Sequence, residues 1–61
     1  MTMWEAVKER NSLRAQGVNA IAVECVRWDA KRFSIVFKNE GELANFIAFN
    51  AQWGIEINRL A

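Results

Sequence analysis

Between Ala20 and Lys38 the apolar side chains fall on alternate positions, twice over, and this period of two constrains everything else in the chain. In the first run Ile21, Val23 and Cys25 share one parity, and Ala22, Glu24, Val26 and Trp28 share the other. In the second, Phe33, Ile35 and Phe37 alternate with Arg32, Ser34, Val36 and Lys38. β-Branched and aromatic residues at this spacing predict two strands, joined by a turn at about Asp29-Ala30-Lys31. A one-residue slip would turn every side chain to the opposite face, so loop length decides which residues meet. A loop of two or four residues would set Glu24 among Phe33, Ile35 and Phe37, and a carboxylate buried without a partner is strongly disfavoured. A three-residue loop avoids this. It predicts Val23 opposite Phe37, Cys25 opposite Ile35 and Arg27 opposite Phe33, with Trp28 beside Arg32 and Val26 beside Ser34.

On either side of the hairpin the period changes to that of a helix. Thr2-Met3-Trp4-Glu5 is a capping box, in which the threonine hydroxyl and the glutamate carboxylate satisfy each other's backbone amides. Gly17 supplies the left-handed residue that stops the helix and places Leu13 and Val18 at the two positions that touch in a Schellman turn. The predicted buried stripe is Met3, Ala6, Val7 and Leu13, with Arg10 and Arg14 along its edge and Trp4 widening it. A second helix starts at Asn39 as N-cap, with Glu42 three residues on. It runs to Gln52 or Trp53, and Gly54 ends it. Leu43, Phe46, Ile47, Asn50 and Trp53 share one face, and Phe49 on a flank is expected to extend the core toward Trp4. Residues Ile55 to Leu60 alternate again and predict a third strand.

The order is therefore α-β-β-α-β. The second strand, second helix and third strand form a βαβ unit with a right-handed crossover. The first strand, apolar on both faces, belongs at the centre, antiparallel to both neighbours. The expected fold is a single α+β domain over residues 1–61: two layers, a three-stranded sheet and two helices on one face. Its shape is similar to half of a ferredoxin-like sandwich, an analogy that carries no function.

Composition narrows the function. A chain of 61 residues buries only about 60% of the surface it exposes when unfolded, so it needs a staple. Cys25 is the only cysteine and histidine is absent, which removes an internal disulfide, a structural zinc and any histidine-based catalysis. No glycine-rich phosphate loop is present. Glu40 and Glu42 are adjacent carboxylates, but at a helix start they are accounted for by the macrodipole. No enzyme, cofactor or metal is expected; association is the staple left, or else unusually good packing. A net charge of +1 exerts no general pull on nucleic acid or membrane. The longest apolar stretch, Leu43 to Ile55, is interrupted by Asn45, Asn50 and Gln52 and falls short of the ~20 residues that span a bilayer. With no export signal and one free thiol, best read as a small buried hydrophobe, the expected compartment is the cytoplasm.

If the isoleucines and phenylalanines turn toward the helices, Val26, Trp28, Val36 and Leu60 are left on an open sheet face, rimmed by Arg32 and Lys38. A rimmed apolar patch of this kind marks a contact site. The expected function is a small non-catalytic protein-binding domain of the inhibitor or adaptor type, homodimeric through that face or through a strand edge. Phage and mobile-element genes supply many stand-alone chains of this size. The competing reading is a nucleic-acid-binding module, in which Arg27, Lys31, Arg32 and Lys38 contact phosphates and Trp28 stacks on a base. The glycine-aromatic motif common to sheet-based readers is missing.

Overall fold

The first helix, α1 (Met3–Ala15), begins and ends as its sequence dictates in the computed structural model, which describes residues 1–61. Glu5 N–H donates to the Thr2 hydroxyl at 3.1 Å, and Thr2 N–H donates to Glu5 Oε1 at 3.1 Å. At the other end Gly17 takes φ 86°. Gly17 and Val18 donate to the carbonyls of Arg14 and Leu13, both at 3.0 Å, which completes the Schellman pair.

Two strands follow, β1 (Ile21–Val26) and β2 (Arg32–Phe37), then α2 (Glu40–Asn50), a single 3₁₀ turn (Ala51–Trp53) and β3 (Glu56–Arg59). Asn39 caps α2 by accepting from Glu42 N–H at 2.9 Å. The Glu42 carboxylate reaches one residue further back than a capping box would, and accepts from Lys38 N–H at 3.3 Å. Gly54 closes the 3₁₀ turn in the left-handed region at φ 68°. The sheet order is β2-β1-β3, with β1 central and antiparallel to both neighbours, so the molecule is of the α+β class.

The helices do not share a face. Ile21, Val23, Cys25 and Phe37 are buried with Leu43 of α2, and Phe33, Ile35, Phe46, Ile55 and Ile57 pack around them. No side chain of α1 joins that cluster. On the opposite parity Ala22 is fully buried and Ser34 nearly so, and α1 packs against both β1 and β2. The helix α1 thus covers the face expected to stay open, and the layers run α1, sheet, α2. Side-chain size is the physical reason. The buried residues of α1 are Ala6 and Arg10. Ala20, Ala22 and Ser34 beneath them are small, so the helix sits close to the strands without a large apolar stripe of its own. Met3, assigned to that stripe, is 51% exposed.

Arg10 is the unexpected core residue. It is 6% exposed and has no carboxylate partner. Its Nη1 donates to the Leu60 carbonyl at 2.9 Å, and its Nε and Nη2 donate to Asn11 Oδ1 at 3.2 and 3.0 Å. One turn later Arg14 Nε donates to the Ala20 carbonyl at 3.0 Å. These two bonds orient α1 along the sheet. The helix leaves the start of β1 and runs back toward the hairpin end, where its first turn carries the exposed Met3 and Trp4.

Candidate interaction surface

The hairpin turn is three residues long, as the exclusion of Glu24 from the core requires, but the residues are Trp28-Asp29-Ala30. Arg27 N–H donates to the Lys31 carbonyl at 2.8 Å, and Ala30 N–H donates to the Arg27 carbonyl at 2.9 Å. Lys31 N–H donates to Asp29 Oδ1 at 3.2 Å. This is a tight turn followed by a left-handed residue, and Ala30 occupies that position at φ 66°. The register is displaced by two residues from the one expected: Cys25 faces Phe33, Val23 faces Ile35 and Ile21 faces Phe37, while Val26 faces Arg32. A displacement of two preserves parity, so the core face is as expected. It removes Trp28 from the strand, however, and makes it the first residue of the turn.

That displacement redraws the proposed contact site. Val26, Val36 and Leu60 lie on the parity covered by α1 and are half-buried. Arg32 and Lys38 are exposed at opposite ends of β2, roughly 20 Å apart at strand rise. Trp28 is 76% exposed and faces a different neighbourhood. Of the six residues assigned to one patch, Val26 faces Arg32, and Val36 and Leu60 flank Ala22, while Trp28 lies apart in the turn.

Trp28 instead borders a groove of about 240 Å³ at the hairpin end of the molecule. Arg27 and Trp28 line it from the turn, and Phe33 from β2. Phe46, Asn50, Trp53 and Ile55 line it from α2 and the exit into β3. The groove exists because β2 starts, and α2 finishes, at this end. The ring of Phe46 packs on Phe37, at the far end of β2 from the hairpin, with a centroid distance of 5.2 Å, and ties α2 to the sheet. Asn50 Nδ2 donates to the Phe46 carbonyl at 2.8 Å, within its own helix. Trp53 remains 57% exposed at the mouth. Phe49 (69% exposed) does not extend the core toward Trp4 (70% exposed), because the two belong to helices on opposite sides of the sheet.

Charge around the groove is largely neutralised in pairs. Arg27 lies 3.8 Å from Asp29, and Arg32 lies 3.3 Å from Glu24. Lys31 follows the turn, and Lys38 is a strand length away. Of the basic residues assigned to phosphate contact, Arg27, Lys31 and Arg32 lie at the hairpin with Trp28, two of them paired with a carboxylate, and Lys38 does not. Cys25 is fully buried, and burial pushes its thiol above the usual range, so the thiolate that would react is disfavoured. No three of the carboxylates and thiol form a group able to hold a metal ion. No helix is long and apolar enough to cross a membrane.

Two signals in the sequence pointed to this arrangement. The small residues Ala20, Ala22 and Ser34 on one parity mark a face that a helix can approach closely. Trp53, next to the stop signal Gly54, had to lie at the end of the sheet from which β3 starts.

No family model, no curated protein and no solved structure matches this chain.

Proposed function

We propose that this protein is a non-catalytic protein-binding module that works as a homodimer, with its contacts concentrated at the hairpin end. One observation carries the reading: all three tryptophans are more than half exposed, at 70%, 76% and 57% for Trp4, Trp28 and Trp53. Tryptophan is the residue most enriched among those that dominate binding energy, and a chain this short gains stability from every large side chain it covers. Met1, Met3, Ile47 and Phe49 add further exposed apolar surface. The buried apolar core holds only eight residues, which favours association as the missing staple. The lone buried thiol suits a reducing compartment. Nucleic-acid binding has less support, since Arg27 and Arg32 are each paired with a carboxylate.

Light scattering across a concentration series tests this reading. The expected result is a shift from 7.0 kDa toward twice that mass, with a blue shift of tryptophan emission as the indoles leave water. The Trp28→Ala and Trp53→Ala variants should weaken the association by about tenfold each, the effect of losing ~1.4 kcal/mol, with little dependence on salt. A constant monomer mass to millimolar concentration would remove the proposal. Oligonucleotide binding that falls steeply with salt would put the nucleic-acid reading in its place.

A further inference from the structure

The two edges of the sheet are unlike. The strand β3 is four residues long and carries Glu56, Asn58 and Arg59. Arg59 is held against Glu40 of α2 through two contacts of 2.8 Å. A short, charged edge discourages pairing with another chain. The strand β2 has six residues and no charge from Phe33 to Phe37. It lacks the lysine, proline or bulge that usually protects an edge.

Its backbone groups have a definite direction. Leu60 N–H donates to the Ala22 carbonyl at 2.9 Å, so Ala22 turns its main-chain groups toward β3 and away from β2. Residues facing Ala22 and its like-parity neighbours on β2 are Val36, Ser34 and Arg32. These three therefore direct their N–H and C=O groups to the unpaired edge, where Arg32 is exposed, Val36 is half-buried and Ser34 is 8% exposed on the face that α1 covers. The hydrogen bonds outside the helices and ladders include none of them.

We propose that this edge takes a second copy of its own β2, antiparallel and with the two-fold axis at Ser34, to give one continuous six-stranded sheet. The proposal rests on the self-association reading above and gives it a register: each hairpin end, with Trp28, then lies beside the second copy's turn from β2 into α2. With the axis at Ser34, that residue pairs with its own copy, and Arg32 pairs with Val36 of the second copy in both directions. All three outward-facing residues are then hydrogen-bonded in a two-fold arrangement, the usual symmetry of a homodimer. On the α2 side Phe33 meets Ile35 of the second copy, and both side chains are half-buried in the single chain. No like charges face each other. Moving the axis to Arg32 would oppose two arginines, and moving it to Ile35 would set Arg32 against Lys38 of the second copy. Phe33 also lines the groove, so the second copy's Ile35 lengthens the groove wall.

Amide hydrogen exchange of the unaltered chain, compared at dilute and concentrated protein, tests the register. The amides of Arg32, Ser34 and Val36 should gain protection of about tenfold or more on association, while Phe33, Ile35 and Phe37 are already protected in the ladder with β1. Ser34→Pro removes a donor that points away from β1 and so costs no ladder bond. It should raise the dimer dissociation constant by at least about tenfold with an unchanged circular dichroism spectrum. If this variant fails to fold, the exchange measurement decides alone. Association with the three amides unchanged would overturn the edge pairing and leave self-association standing. No association at millimolar concentration would overturn both.

Discussion

At the scale of single residues, the turn shows a conflict between local preference and fold. Ala30 sits at φ 66°, a conformation in which Cβ crowds the following carbonyl and which costs an L-residue roughly 1–2 kcal/mol. The ladder on either side imposes it, since Arg27 and Lys31 must meet across three residues. Ala30→Gly should therefore stabilise the fold by about 1 kcal/mol, after the entropy lost by a more flexible unfolded chain. A higher urea midpoint with an unchanged slope is the expected readout; a lower midpoint would mean that the turn is not strained. Arg10 shows the reverse case, a polar residue that the fold draws inward. Its guanidinium is satisfied by a carbonyl and an amide oxygen rather than by a counter-charge. Hydrophobic period alone places it at a stripe's edge, because the period reports the apolar positions and is silent on a charged side chain whose donors all find acceptors.

At the scale of elements, the helix ends were the most legible part of the chain. Thr2, Glu5, Gly17, Asn39 and Gly54 each act over three or four residues, and such local hydrogen bonds survive whatever the tertiary context. Two of these ends carry perturbed carboxyls. Glu5 is held below the usual carboxylate range by its hydrogen bonds with Thr2, and Glu40 by its hydrogen bonds with the Arg59 guanidinium. A carboxyl whose pKa is lower folded than unfolded contributes stability above its unfolded value and loses it as pH falls through the folded one. Urea stability should thus hold from neutral pH to the ordinary carboxylate range and decline below it. Both carboxyls are exposed, so the decline is small and salt-sensitive. A Glu5→Gln, Glu40→Gln double variant should show a shallower decline, and an identical acid profile would rule these two groups out. The strands were legible in parity but not in register. Parity follows from burial, whereas the register turns on which residue accepts the left-handed position, and the sequence offers no glycine there to mark it.

At the scale of the whole molecule, eight buried apolar residues and seven large exposed ones bear on the proposed dimer, since a chain with so small a core gains stability from each side chain that association covers. If the dimer is the folded unit, mass action makes its melting temperature rise with concentration. For a domain of this size the rise should be about 3–5 °C per tenfold increase in protein. A melting temperature independent of concentration would separate stability from self-association. The sequence by itself determined the element order, the helix caps, the central place of β1 and the residues buried against α2, because those follow from period, capping chemistry and the cost of burying Glu24. Only the tertiary structure decided that α1 crosses to the other side and that Trp28 joins Trp53 at a groove. Both outcomes depend on side-chain volumes meeting across the sheet and on a two-residue displacement at one turn. The alternation of apolar residues reads the same whichever face a helix covers, and the same after a shift of two.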